Sequence, residues 1–204
     1  MIIKVCGMTD ADNIREVESL GVDMMGFIFY EKSPRFVGHK APSYMPACSR
    51  VGVFVNPSME LVLAMTKEFG LTHIQLHGEE TPAFCASITE ALPSTTLVKA
   101  FSISCEADVA KAYAYEGKAG MFLFDTATKG YGGSGKTFRW EILDVYAGST
   151  PFLLSGGIAP ENADALLRFS HPSWCGIDLN SRFESSPGMK DVTSIKTFIS
   201  RIKR

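Results

Sequence analysis

The 204-residue sequence is poor in several features that would quickly narrow its function. It has almost no charge excess: 20 Lys and Arg against 22 Asp and Glu leave a net charge of −2. That balance gives no electrostatic reason to expect nucleic acid or an anionic membrane as a partner. No apolar run is long enough to span a bilayer. The first residues, "MIIKVCG", are too short for a signal-peptide core and lack its flanks. Cysteine is sparse. The five are Cys6, Cys48, Cys85, Cys105 and Cys175, with no C-x-x-C pair among them. An odd count without such spacing argues against a disulfide framework or a zinc site and fits reduced thiols in a cytoplasm. No low-complexity linker interrupts the chain, so residues 1–204 read as a single domain.

What the sequence does contain is alternation. Eight apolar runs recur: "IIKVCG", "DMMGFIFY", "RVGVFV", "THIQLHG", "LVKAF", "MFLFDT", "FLLSGG" and "WCGIDLN". Most are continuously apolar, as strands buried on both faces should be. Helical patterns separate most of them. The first, from about Asp10 to Leu20, has Thr9 as a candidate N-cap, Ile14, Val17 and Leu20 on one face, and Gly21 as a stop. Asn56-Pro57 and Thr81-Pro82 each read as a cap followed by Pro at the first helical position. Gly70 closes the helix after the third strand, Pro160 opens the one after the seventh, and Ile195, Phe198 and Ile199 mark the inner face of the last. The segment "GHKAPSYMPACS" carries Pro42 and Pro46 and reads as irregular or as a short helical turn. Eight strand–helix units imply a closed α/β TIM barrel, (β/α)8, of near-minimal size. An open doubly wound sheet handles the same alternation, but the eightfold count favours the barrel.

In such a barrel the chemistry sits at the C-terminal ends of the strands. Those positions hold Cys6, Arg35 in the second loop, His77, Asp125, Ser155 with Gly156 and Gly157, and Asp178 with Asn180, Ser181 and Arg182. The loops after strands seven and eight are the usual phosphate grip of the fold. Gly156 and Gly157 would let backbone N–H groups approach an anion, with the helix from Pro160 directing its positive end there. The same glycines would also suit a plain tight turn. Cys6 is either a small buried hydrophobe or a thiol facing the mouth. Asp125 and Asp178 are either loop caps or working carboxyls; burial on its apolar strand would favour the neutral acid form of Asp125. His77 suits orienting a carboxylate or hydroxyl, or a structural hydrogen bond. Arg35 suits a bidentate grip on a substrate carboxylate, or a solvated loop. His77, Asp125 and Asp178 do not have the spacing of a known metal-ligand pattern, so no metal is expected.

One motif competes. "GYGGSGKT", Gly130–Thr137, matches G-x-x-x-x-G-K-[ST] and would make Lys136 the lysine of a nucleotide-phosphate loop. It follows the sixth strand rather than the first, and the phosphate grip lies elsewhere. It reads better as a flap beside Asp125.

Taken together, "KVCGMT", "GFIFYEKSPRFV", "VGVFVN", "IQLHGEE", "FDTATKGYGGSGKTFRW", "LLSGGIAPENA" and "GIDLNSRFESSPGMKD" resemble, in order, the motifs of the phosphoribosylanthranilate isomerase family of tryptophan biosynthesis. The resemblance implies a cofactor-free Amadori rearrangement of N-(5'-phosphoribosyl)anthranilate. It puts the family's general base on Cys6 and its general acid on Asp125. It also implies anthranilate contact by Arg35, and pocket positions for His77 and Asp178. The phosphate falls to Gly156, Gly157, Asn180, Ser181 and Arg182. The implied partner is a small phosphosugar, with no nucleic acid and no membrane, and the assembly is a monomer or homodimer. Arg182 departs from the family, which often has glycine there. It would be strained at positive φ, or it would add a cation to the phosphate grip. A related sugar-phosphate isomerase and a catalytically silent phosphosugar-binding barrel are the alternatives on the same fold.

Overall fold

The computed structural model describes residues 1–126 and 140–203. The eight apolar runs form eight strands: β1 Ile2–Cys6, β2 Met24–Ile28, β3 Ser49–Phe54, β4 His73–Leu76, β5 Thr96–Ile103, β6 Met121–Thr126, β7 Phe152–Ser155 and β8 Trp174–Leu179. They pair in parallel in sequence order, and β1 closes on β8. The expected barrel is therefore present. The flap and Lys136 lie outside the described residues.

Six α-helices occur among the described residues: α1 Ala11–Glu18, α2 Met59–Phe69, α3 Pro82–Ala91, α4 Glu106–Ala110, α5 Ala163–Arg168 and α6 Val192–Ile202. Their caps correct the sequence reading in places. Asp10, not Thr9, caps α1, accepting from the N–H groups of Asp12 and Asn13. Ser58 caps α2, because Asn56 takes a left-handed conformation (φ 47°) and turns the chain before the helix starts. Thr81 caps α3 with Pro82 in its first turn, and Gly70 ends α2 in the left-handed conformation, as read. Pro160 opens only a 3-10 turn, Pro160–Asn162, ahead of the six-residue α5. No helix forms between β2 and β3. That stretch, with its two prolines, is held by polar contacts: Glu18 of α1 accepts from Tyr44 Oη and from the Ala47 N–H at 2.6 Å. No helix among the described residues is long and apolar enough to cross a membrane.

Alternation along each strand divides the apolar side chains into two cores. The larger lies between strands and helices and takes Ile14 and Val17 of α1, Ile88 of α3, and Ile195, Phe198 and Ile199 of α6. The smaller fills the barrel with Val51, Val53, Val98, Leu123 and Leu153. A buried leucine or isoleucine in such a core contributes about 2–5 kcal/mol against alanine. Two lysines interrupt this pattern. Lys4 of β1 and Lys99 of β5 are almost wholly buried. Lys4 shares the barrel interior with Cys6, whereas Lys99 points out into the wall.

Candidate active site

Cys6 is the last residue of β1 and is buried. Its register partner on β2 is Gly26, and a Cβ built on Gly26 would come within 2.7 Å of the Cys6 Sγ. The thiol therefore occupies space that only glycine leaves open. Two residues earlier on the same inward face, Lys4 places its Nζ 2.9 Å from Asp178 Oδ1, and the two are register partners across β1 and β8. Burial pushes the Cys6 thiol above its ordinary pKa. The Lys4 ammonium, by charge and hydrogen bond, and the Lys190 ammonium, by charge, pull it back, while Asp178 pushes it further up. Burial also raises Asp178, partly offset by Lys4. Lys4 itself is penalised by burial, but Asp178 and Cys6 more than offset this and keep it charged.

Asp125 lies near the C-terminal end of β6. Its side chain is 34% exposed, against the burial expected from its strand. His77 Nε2 stands 3.6 Å from Asp125 Oδ2, and Gln75 Nε2 donates to His77 Nδ1 at 3.1 Å. Asp125 and Asp178 then open onto one cavity of about 130 Å3 together with Ser155, Gly156, Gly157, Asn180, Ser181 and Arg182. Gly156 (φ 80°) and Gly157 (φ 63°) both need the left-handed region. Asn162 holds the turn, donating to the Gly157 carbonyl at 2.5 Å and accepting from the Ala159 N–H at 3.0 Å. The element that lines the cavity here is therefore the glycine turn, not the end of a long helix. Arg182 is exposed in a 3-10 turn, Ser181–Phe183, and does not have positive φ, so the strain reading is set aside. A larger hollow of about 410 Å3 lies on the other side of His77, against Lys99, Ser102 and Tyr115.

Arg35 reaches the mouth from the β2–β3 connection. Its Nε and Nη2 grip Glu184 at 2.6–3.0 Å. Glu184 begins a small hairpin after β8, β9 Glu184–Ser186 with β10 Met189–Lys190. Lys190 is buried and donates to Glu184 Oε1 at 2.5 Å and Asn180 Oδ1 at 2.9 Å. Burial pushes Glu184 up, but Arg35 and Lys190 outweigh it and hold the carboxyl below its ordinary range. Asn13, buried on α1, pins the hairpin by pairing with the Lys190 backbone in both directions, at 3.0 and 2.8 Å. Among the described residues, no group of three or more His, Cys, Asp or Glu side chains is arranged to hold a metal ion.

Comparison with known proteins gives the family of the chain and a matching fold. The family model of N-(5'-phosphoribosyl)anthranilate isomerase matches residues 3–201. The chain belongs to this family. A relative named N-(5'-phosphoribosyl)anthranilate isomerase, from Phocaeicola vulgatus, is 54% identical over 100% of this chain and 98% of its own. A crystal structure of monomers of the dimeric phosphoribosylanthranilate isomerase of Thermotoga maritima superposes with a TM-score of 0.82. It is 32% identical and covers 100% of this chain and 99% of the other. A phosphoribosylanthranilate isomerase in complex with reduced 1-(o-carboxyphenylamino)-1-deoxyribulose 5-phosphate superposes at 0.80, with 31% identity and the same coverage.

Within this family frame, the residues singled out in the sequence fall into two groups. Asp125, Gly156, Gly157, Asp178, Asn180, Ser181 and Arg182 share the small cavity. Cys6 joins them through Lys4 and Asp178, and His77 through Asp125. Arg35 stands apart on Glu184. Sequence reasoning missed Lys4, Gly26, Glu184 and Lys190. One signal was available for Lys4: a charged residue at i−2 of a strand-end cysteine, inside an otherwise apolar run. Nothing local marks Glu184 and Lys190, which meet only through the hairpin.

Proposed function

We propose that this chain converts N-(5'-phosphoribosyl)anthranilate into 1-(o-carboxyphenylamino)-1-deoxyribulose 5-phosphate without a cofactor, with Cys6 as general base and Asp125 as general acid. The observation that carries this reading is the shared cavity: the Asp125 carboxyl opens onto the same space as the glycine turn and Ser181–Arg182. A phosphate gripped by that turn sets the sugar beside Asp125, with Cys6 three strands away round the barrel. Protonated Asp125 gives its proton to the furanose oxygen, and the ring opens to a protonated Schiff base. That cation acidifies the proton on the sugar's second carbon. The Cys6 thiolate removes it, and the resulting enolamine tautomerises to the ketone. His77 orients the Asp125 carboxyl. Arg35, with Nη2 and Nε on Glu184, offers Nη1 to the anthranilate carboxylate. Gly156, Gly157, Asn180, Ser181 and Arg182 hold the phosphate, and Asp178 lines the pocket.

The test generates the substrate in situ and couples product to the next enzyme of the pathway, for wild type, Cys6→Ser and Asp125→Asn. Loss of turnover by about a hundredfold or more in each variant is expected of a general acid–base pair. Wild-type turnover in both would sink the assignment. A product analogue that binds without any turnover by the wild type would mark a silent phosphosugar-binding barrel instead. The five free cysteines support a cytoplasmic location, and the assembly is a monomer or homodimer, which sedimentation resolves.

A further inference from the structure

The mechanism leaves the buried charge of Lys4 unused. Lys4 is 1% exposed, inside the barrel, on the same face as Cys6 and two residues from it. Its carboxylate partner, Asp178, is 6% exposed. Removing two charges from water is costly, and well-packed apolar residues of the same volume would hold a barrel together at least as well. Stability therefore gives no reason for this pair, and its position suggests one. An ammonium has three protons to donate, and Asp178 takes one in a 2.9 Å hydrogen bond.

We propose that Lys4 is a positioning residue for the isomerisation: anchored on Asp178 inside the barrel, on the same face as Cys6, its ammonium offsets part of the cost of ionising the buried thiol. The proposal rests on the reading of Cys6 as the base. The groups around the thiol are consistent with it. From β8, Asp178 opposes an anion, so without Lys4 the thiolate would face a bare carboxylate. From the hairpin and the β2–β3 connection, Lys190 and Arg35 favour the anion, but both are shared with Glu184. Gly26 on β2 brings no charge. His77 and Asp125 act on Asp178 from the far side. Lys4 is the strongest of the groups that pull the buried thiol towards ionisation. It stays protonated throughout and exchanges no proton with the substrate.

The test follows thiolate absorbance near 240 nm against pH in the full-length enzyme, with Cys6→Ser subtracted as the reference. Access to the buried sulfur is then not required. Lys4→Met removes the charge. Lys4→Gln also removes it but leaves Asp178 a hydrogen-bond donor, which protects the fold. In either folded variant the Cys6 titration moves up by about one pH unit or more, a tenfold smaller thiolate fraction near neutrality. The acid limb of kcat/KM moves with it, while KM changes little. A Cys6 titration at the wild-type pH in a folded variant overturns the proposal. Wild-type turnover by Cys6→Ser would instead fell the base assignment, and the absorbance shift would still report on Lys4.

Discussion

Two of the buried lysines lie on the barrel strands, each on a carboxylate, and they sit in opposite kinds of surroundings. Lys99 of β5 points outward. Its Nζ lies 3.1 Å from Glu80 and also donates to the carbonyls of Gly78 at 2.8 Å and Ala100 at 3.0 Å, beneath the rings of Phe101 and Tyr115. Those partners, with the Leu76 carbonyl, occupy its donor directions. It fastens the β4–α3 connection to the wall, where Glu80 also accepts from the N–H groups of Asn56 and Gly78. Lys4 of β1 points inward, has one carboxylate, and has a thiol beside it. A buried lysine–carboxylate pair is a fastener in one place and, on the proposed reading, a field acting on the Cys6 sulfur in the other. What separates them is whether the ammonium's other partners are backbone carbonyls or a reactive atom.

The largest expected effect breaks the fastener. Lys99→Met strands Glu80 in the wall and should cost about 3–5 kcal/mol in denaturant unfolding, with turnover per folded molecule near wild type. Lys4→Met also strands a carboxylate, Asp178, but unlike Lys99→Met it should move the pH profile of turnover as well as stability. If both variants lose stability alike with unchanged profiles, the contrast between the lysines collapses. Next comes Gly26→Ala, which tests position rather than charge. A methyl 2.7 Å from the Cys6 Sγ must displace the sulfur, and a shift approaching 1 Å costs up to about a hundredfold in kcat. Single-turnover measurement at saturating substrate isolates that loss.

Glu184→Gln probes a third buried carboxylate, one shared between two cations. Loosening Arg35 should raise KM by roughly fivefold to tenfold, the size of part of a charge-assisted hydrogen bond, with kcat little changed. The sign of its pH dependence follows from a depressed folded pKa. Its stabilising contribution is complete above the unfolded glutamate value, about 4.3, and is lost as pH falls through the lower folded value. Wild type and Glu184→Gln should therefore differ by a constant at neutral pH and converge in acid. The smallest effect belongs to Arg182→Gly, an exposed cation with no buried partner. A change in KM of about twofold to fivefold, shrinking with added salt, is the scale of a surface charge. An unchanged KM and salt dependence would remove its side chain from the phosphate grip.

The strands were legible because parallel barrel strands are buried on both faces and read as unbroken apolar runs. Legibility ended where a feature depends on contacts between distant segments. Asp10 and Ser58 cap helices that Thr9 and Asn56-Pro57 had been read to open, since the choice rests on local backbone turns that composition does not encode. Cys6, Asp125 and the glycine turn could be placed because strand ends in this fold have a known position. Glu184 and Lys190 could not, because their value lies in meeting Arg35 from 149 residues away in one case and in closing a hairpin in the other. Lys4 was visible as an oddity, but its partner 174 residues along the chain was not.

The stretch between β2 and β3 forms no helix and lays the partly buried Val37, Ala41, Tyr44, Met45 and Cys48 against the core. It is tied at Glu18 and Glu184, through Tyr44 and Arg35. Between those two ties Val37 and Ala41 pack against the core, and exchanges at the exposed His39, Lys40 and Ser43 leave the barrel untouched. Mutation can therefore explore that rim of the pocket cheaply while the glycine turn across the mouth stays fixed. On the proposed reading, one end of the substrate is under looser hereditary control than the other.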